Sequence, residues 1–171
     1  MQGKEAIFVT LARNDERDLD ALRAIEREAF PEKEPEIAGE LTRPWAKLWV
    51  ARWGSEAAEP AAFLLAWLVA DEVHVLSIAT AASMRRRGLA RALMLEAIET
   101  ARTRRSELLL LEVRRSNRAA IALYRGLGFR ATAIRKGYYA DREDAVEMAL
   151  VIDPDTGEIQ PGRDEVRLEE S

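Results

Sequence analysis

The stretch Val73-His-Val-Leu-Ser-Ile-Ala79, followed by Met84-Arg-Arg-Arg-Gly-Leu-Ala-Arg91, decides the fold of this chain. Its first part is an apolar, β-branched run bounded by small polar residues, which is typical of a buried strand. From Leu89 to Thr103 the apolar positions recur every three to four residues, as they do in an amphipathic helix. The stretch therefore predicts a strand, a short loop and a helix.

The loop between this strand and this helix predicts an anion site. The first turn of a helix carries backbone N–H groups that no carbonyl within the helix can accept, and the positive end of the helix dipole lies there. Such groups bind phosphate oxygens, and Gly88 allows a close approach. We expect a pyrophosphate cradle formed by the backbone of Arg86, Arg87, Gly88, Leu89, Ala90 and Arg91.

This loop differs from the two most familiar nucleotide-binding loops. No Lys-Ser or Lys-Thr pair follows the glycine, and the three spaced glycines of a dinucleotide fold are missing. So short a pattern also fits a plain helix start with solvated arginines, so other residues must decide between the two interpretations.

The composition indicates one globular domain followed by an acidic segment. The chain has 171 residues, 48% of them hydrophobic and 33% charged, which suits a single domain with a full core. The formal net charge is -4, but residues 153–171 hold seven acidic and two basic side chains, which leaves residues 1–152 at +1. We expect residues 1–152 to form one domain and residues 153–171 to be a disordered tail.

The residue counts exclude several kinds of chemistry. The chain has no cysteine and one histidine, which excludes a thiol nucleophile, a disulfide framework and a Cys/His zinc site. A nearly neutral body does not favour nucleic-acid binding, and no apolar run approaches the length of a membrane span. Because the N-terminus also lacks the apolar segment of a secretory signal, we expect a cytoplasmic protein that contacts no membrane, binds no nucleic acid directly and holds no metal.

The remaining patterns predict a mixed α/β fold. Apolar, alternating segments predict seven strands, over residues 6–12, 47–52, 61–70, 73–79, 108–113, 129–134 and 145–152. Helical periodicity predicts four helices, over residues 16–30 with a cap at Asn14 or Asp15, and over residues 36–41, 89–103 and 119–125. The helix between the fourth and fifth strands predicts that these two strands pair in parallel.

Three side chains in the second half of the chain are candidates for chemistry. Glu112 interrupts an apolar strand, and a carboxylate buried there would need a partner, for which Arg114 lies on the same strand face; a solvent-facing Glu112 would be ordinary. Tyr124 is either a functional group or a helix aromatic packed on Phe129. Asn117 is at least a candidate helix cap.

These residues stand in a recognisable order. The segments Leu111-Glu-Val-Arg114, Ser116-Asn-Arg-Ala-Ala-Ile-Ala-Leu-Tyr124 and Leu127-Gly-Phe129, with the phosphate loop before them, resemble the GNAT superfamily of acetyl-CoA-dependent N-acetyltransferases. The resemblance covers roughly residues 73–150. It implies the GNAT fold of the α/β class, a mixed central sheet of about seven strands flanked by about four helices, with a splayed parallel strand pair at the coenzyme site.

The resemblance also implies roles for single residues. Glu112 matches the general base, Tyr124 the general acid and Asn117 a coenzyme contact. Ile78 and Ala79 match the strand backbone that holds the pantetheine arm of acetyl-CoA, the co-substrate. The loop from Arg86 to Arg91 matches the pyrophosphate site.

Within this superfamily the chain is similar to the RimI type, the bacterial ribosomal-protein alanine N-acetyltransferases. The similarity adds Tyr138-Tyr139, Arg142-Glu-Asp-Ala145 and Met148. It implies an acyltransferase that acetylates the N-terminal α-amine, usually of alanine, of a small-subunit ribosomal protein, with Tyr138 and Tyr139 binding the substrate, and a monomer or weak dimer. Glu32 replaces the tryptophan usual after Phe30-Pro31, and the acidic tail is an addition.

Two other functions fit the same residues. A GNAT enzyme for a free small amine or amino acid would need a closed acidic pocket. A non-catalytic acetyl-CoA sensor would not need both Glu112 and Tyr124. His74, the sole histidine, is expected on a strand surface and not in catalysis.

Overall fold

The structure, a computed structural model, describes residues 6–13, 15–33 and 36–168. Its strands are β1 Ile7–Leu11, β2 Ala46–Trp53, β3 Pro60–Val69, β4 Glu72–Thr80, β5 Leu108–Arg114, β6 Arg130–Arg135 and β7 Ala145–Val151. Its α-helices are α1 Glu16–Ala29, α2 Ile37–Glu40, α3 Leu89–Thr103 and α4 Arg118–Leu127, and a 3₁₀ turn, Ala82–Met84, precedes α3. No helix in these described ranges is long and apolar enough to cross a membrane.

The seven strands form one mixed sheet in the order β1-β2-β3-β4-β5-β7-β6. All predicted strands and helices are confirmed, with ends that shift by one or two residues. The largest shift is at α4, which includes Gly126 and ends at Leu127; Gly128, with a φ of +107°, is its left-handed cap. Gly126 therefore lies inside the helix, one residue beyond the predicted end at Arg125.

Contacts between Cα atoms divide the chain into two compact units. The first unit comprises the described residues of Met1–Leu68 and Leu76–Ile98. In it β1, β2 and β3 pair in antiparallel order, and α1 buries Leu22 and Ile25 in a core that includes Phe63 of β3. Asp15 caps α1 because its Oδ1 accepts from the Asp18 N–H at 2.9 Å; Asn14, the other predicted cap, lies outside the described residues.

The second unit comprises the described residues of Val69–Val75 and Glu99–Ser171. Here β4 and β5 pair in parallel, from Glu72 with Leu108 to Val75 with Leu111, as the intervening helix predicts. β7 pairs antiparallel with both β5 and β6. This part of the sheet buries Leu109, Phe129, Met148 and Leu150.

Residues 153–168 follow a defined path along the second unit, where the sequence predicts disorder. Ile159 forms a β-bridge with Ile152, and its side chain lies beside Gly128. Further on, the Asp164 carboxylate accepts from the Ala131 N–H at 2.9 Å and pairs with Arg125. Asp164, an acidic side chain of the predicted tail, is thus an ion-pair and hydrogen-bond partner; the domain boundary at residue 152 and the disordered tail stay predictions.

Candidate active site

The predicted phosphate loop has a left-handed backbone at two positions. Arg86 has a φ of +62° and Gly88 a φ of +85°, between the 3₁₀ turn and the start of α3. The Ala92 N–H donates to the Gly88 carbonyl at 3.0 Å as an early bond of α3. The N–H groups of the residues before Ala92 therefore precede the helical bonding pattern, which is the arrangement that binds anions.

The side chains of this loop are exposed and basic. Arg85, Arg86, Arg87 and Arg91 are all exposed, and the Arg87 guanidinium lies 5.1 Å from the centroid of the Trp53 ring. A hydrogen bond to α1 holds the start of the 3₁₀ turn before the loop, since the Ala82 N–H donates to Glu28 Oε2 at 3.0 Å. A positively charged loop at the start of a helix suits a pyrophosphate.

The end of β4 leads into this loop within the first unit. Ala79 is buried and Ile78 half-buried, and the Ala81 N–H donates to the Ala61 carbonyl of β3 at 2.9 Å. The predicted pantetheine strand and the predicted pyrophosphate loop are thus one continuous segment, which rests on α1 and β3.

Glu112 lies in the middle of β5 with its side chain 30% exposed. Arg135 of β6 donates from Nη1 to Glu112 Oε1 at 2.5 Å. A hydrogen bond with Glu112, with lesser effects of burial and of the carboxylate charge, raises the pKa of Tyr138, so the phenol stays protonated beside this carboxylate. Glu112 is thus a partly exposed, ion-paired carboxylate. Arg114, on the same strand, forms ion pairs with Asp141 and Glu143.

Tyr124 is buried in α4, with 4% of its surface exposed. Burial, with a smaller contribution from Tyr139, raises the pKa of Tyr124 to about 12. Its ring centroid lies 5.9 Å from that of Phe129, so the packing role that the sequence allows is also present. A phenol with this pKa is fully protonated at neutral pH and is able to donate a proton.

Asn117 is the N-cap of the same helix. Its Oδ1 accepts from the Ala120 N–H at 3.2 Å, which confirms the predicted cap. The coenzyme contact that the resemblance implies for Asn117 stays a prediction.

Tyr138 and Tyr139 form an edge-to-face pair with ring centroids 5.2 Å apart. Tyr138 is 45% exposed, and burial raises the pKa of the half-buried Tyr139 to about 12. An arginine guanidinium lies over each ring. The distance to the ring centroid is 4.5 Å from Arg135 to Tyr138 and 4.0 Å from Arg114 to Tyr139.

The segment that carries these tyrosines is fixed at several points. The Ser116 N–H donates to Glu143 Oε1 at 2.8 Å, and the Gly137 N–H donates to Asp144 Oδ1 at 3.0 Å. Hydrogen bonds from Ser116 hold the pKa of Glu143 below its usual value, and the bond from Gly137 does the same for Asp144. The segment therefore presents both rings in one defined arrangement.

Sequence patterns missed Arg135 and Asp141, and they gave Glu143 and Asp144 a place in the RimI-type similarity without a role. Arg135 ends β6 and reaches Glu112 over a separation of 23 residues. Its only signal in the sequence is a position shortly before the two tyrosines. His74 pairs with Glu72 at 2.6 Å on the strand surface, and no group of three or more His, Cys, Asp or Glu that could hold a metal occurs among the described residues.

Comparison with known proteins shows the family of this chain. The sequence profile of the Acetyltransferase (GNAT) family matches residues 19–129. The [Ribosomal protein bS18]-alanine N-acetyltransferase of Escherichia coli K12 is 38% identical over 148 residues, which cover 84% of this chain and 97% of that protein. The crystal structure of the Escherichia coli ribosomal-protein-S18-alanine N-acetyltransferase superposes with a TM-score of 0.71 at 35% identity, covering 83% of this chain and 92% of that one.

A more distant solved structure shares the fold alone. Arabidopsis thaliana NAA60 in complex with acetyl-CoA superposes with a TM-score of 0.73 at 21% identity, over 86% of this chain and 99% of that chain. The chain belongs to the GNAT family of acetyltransferases. Within that family it is an acyltransferase of the RimI type.

Proposed function

We propose that this enzyme transfers an acetyl group from acetyl-CoA to the N-terminal α-amine of a protein, with alanine as first residue and a small-subunit ribosomal protein as substrate. The observation that carries this proposal is the 38% identity to the Escherichia coli enzyme over 97% of its length. The chemistry of Glu112 and Tyr124 supports it.

The phosphate loop is proposed to bind the coenzyme. Backbone N–H groups from Arg86 to Arg91 would donate to the pyrophosphate oxygens, and the exposed arginines would add positive charge. The backbone of Ile78 and Ala79 would hold the pantetheine arm, with Asn117 as a further contact. Acetyl-CoA supplies the activated acetyl group when it is bound.

Glu112 is proposed as the general base. An ammonium group has no lone pair for attack on a thioester, so the acceptor amine must lose a proton. An α-amine with a pKa of about 7.7–8.0 is roughly a tenth neutral at pH 7, whereas a lysine amine of about 10.4 is only about 0.04% neutral. A partly exposed carboxylate, acting directly or through one water, is sufficient for an α-amine.

Tyr124 is proposed as the general acid. The amine nitrogen forms a bond to the acetyl carbon, the bond from that carbon to sulfur breaks, and the Tyr124 hydroxyl donates its proton to the leaving thiolate. Its pKa of about 12 keeps the hydroxyl protonated until that moment. Transfer is direct, because the chain has no cysteine to carry the acetyl group.

Tyr138 and Tyr139 are proposed to bind the acceptor. Two rings in an edge-to-face pair, stiffened by Arg135 and Arg114, form an aromatic wall that suits an extended peptide terminus. A rigid wall reduces the entropy lost when the terminus binds.

A direct assay tests this function. The purified protein is incubated with acetyl-CoA and a peptide that copies the alanine-initiated terminus of a small-subunit ribosomal protein, and coenzyme A release and the mass of the peptide are measured. The matched controls are the same peptide with a blocked α-amine and a free polyamine. We expect transfer to the free terminus alone. Transfer to the polyamine would favour a small-amine enzyme, and binding of acetyl-CoA without transfer would favour a sensor.

A further inference from the structure

Arg135 contacts three side chains, Glu112, Glu147 and Tyr138. Its Nη1 donates to Glu112 Oε1 at 2.5 Å, and its Nε lies 3.5 Å from Glu147 Oε1. The same guanidinium lies 4.5 Å from the centroid of the Tyr138 ring. One side chain therefore connects the carboxylate of β5 to the first of the two tyrosines.

We propose that Arg135 is a positioning residue for acetyl transfer, which acts through Glu112 and holds Tyr138 beside it. The proposal rests on the proposed role of Glu112 as base. It names a residue that neither the sequence patterns nor the resemblance single out.

The geometry of the carboxylate is the first reason. A glutamate that is 30% exposed has several side-chain rotamers available, and a base must be in one of them when the amine arrives. The planar fork of an arginine fixes the direction of its bonds, which a lysine does not. A displacement of about 1 Å in a reacting group costs about 100-fold in rate, so one fixed rotamer matters for rate more than for stability.

The second reason is that the Glu112 carboxylate can accept further hydrogen bonds. A carboxylate has about four acceptor positions. Arg135 takes one of these positions, at Oε1. The other positions leave room for an amine or for a bridging water, so Arg135 holds Glu112 without blocking it.

The charge of Arg135 is the third reason. An isolated carboxylate would pair with the protonated acceptor terminus, which is the form that has no lone pair for attack. The neighbouring guanidinium compensates the charge of Glu112, so this unproductive pairing is weaker. Binding energy then favours the neutral amine that reacts.

A double-mutant cycle tests the proposal. Arg135→Gln and Glu112→Gln are made singly and together, and kcat with the acceptor that the wild type uses is measured at saturating acetyl-CoA. We expect Arg135→Gln to lower kcat about ten-fold and Glu112→Gln about 100-fold. Because Arg135 acts through Glu112, the double variant should match Glu112→Gln within about two-fold.

Two further variants complete the design. Arg135→Lys keeps the charge but not the fork, so it should recover part of the loss. Arg130→Gln is the matched control, since Arg130 lies on the same strand and donates to the backbone carbonyls of Gly162 and Phe129; it should leave kcat unchanged. Melting temperature and acetyl-CoA affinity, measured for every variant, report folding and coenzyme binding.

Each outcome decides a specific point. An Arg135→Gln variant with wild-type kcat, or an equal loss with and without Glu112, would overturn this inference while the proposed function stands. A folded wild type that transfers acetyl to neither peptide nor polyamine would overturn the proposed function and the inference together.

Discussion

Arg52 of β2 and Asp18 of α1 form a bidentate ion pair inside the first unit. Nη1 donates to Oδ1 at 3.0 Å and Nη2 to Oδ2 at 2.5 Å, and the two side chains are 1% and 3% exposed. Arg52 also donates to the Ala58 carbonyl at 2.6 Å, and Asp18 accepts from the Arg13 N–H at 3.1 Å. The pair therefore connects α1 to β2 and, through the Ala58 carbonyl, to the loop after β2.

Breaking this pair should destabilise the fold strongly. Asp18→Asn leaves the Arg52 charge buried without compensation, which costs about 3–5 kcal/mol in the free energy of unfolding. The control is Asp20→Asn on the same helix, whose exposed pair with Arg23 is worth less than about 1 kcal/mol. Equal losses for the two variants in urea unfolding would contradict the prediction.

The same pair predicts a dependence of stability on pH. Burial alone would raise the pKa of Asp18, but the hydrogen bonds from Arg52 and Arg13 and their charges hold it below its usual value. A carboxyl with a depressed folded-state pKa stabilises the fold fully above its unfolded pKa of about 3.9 and loses that contribution as the pH falls through the folded value. The difference between wild type and Asp18→Asn should be constant from about pH 5 to 8 and shrink below about pH 4.

Gly88 should be required for coenzyme binding. Its φ of +85° disfavours any side chain, although a Cβ would meet only Ile7 at an ordinary 3.7 Å. Gly88→Glu adds bulk and negative charge beside the proposed pyrophosphate site, so acetyl-CoA should no longer raise the melting temperature. Gly126→Glu is the control, because Gly126 lies in α4 with open space around it. A folded Gly88→Glu variant with normal affinity would place the pyrophosphate elsewhere.

Tyr124 should affect the rate and not the affinity for acetyl-CoA. Tyr124→Phe keeps the buried ring and removes the proton donor, so kcat should fall about 100-fold while the Kd of acetyl-CoA stays within about two-fold. Since its pKa is about 12, titration of Tyr124 should cause no loss of wild-type kcat below about pH 10. If Tyr124→Phe had the kcat of the wild type, a group other than Tyr124 would donate the proton to the leaving thiolate.

The segment after residue 152 should stabilise the second unit. Asp164→Ala removes the acceptor of the Ala131 N–H and the partner of Arg125, and we expect a loss of about 1 kcal/mol. Asp155→Ala, whose partner Arg105 is 3.8 Å away and exposed, should cost nothing measurable. Truncation after Ile152 should lower the melting temperature by more than Asp164→Ala does. If truncation after Ile152 left the melting temperature unchanged, the segment would be the disordered tail that the sequence predicts.

Local patterns determined most of the fold and the identity of the candidate residues. The strand, loop and helix around Gly88 follow from hydrophobic period and from a glycine at the helix start, and Asn117 caps its helix through a bond three residues away. Glu112 stands out because its neighbours Leu111 and Val113 are apolar, and Tyr124 because of its place in the order of segments that resembles the GNAT superfamily. Each of these features depends on residues close in sequence, so the sequence alone is sufficient to predict it.

Only the tertiary structure decided the partners of those residues. Arg135 reaches Glu112 from 23 residues away, and Arg52 reaches Asp18 from 34. In the first case the face that Arg135 occupies depends on a shift in register between Ala131 and Ala133 of β6, and a slip of one residue turns every following side chain to the opposite face of a sheet. The attraction between two charges depends on their distance in space and not on their separation in sequence. Ion pairs between residues far apart in the chain are therefore decided by the tertiary structure.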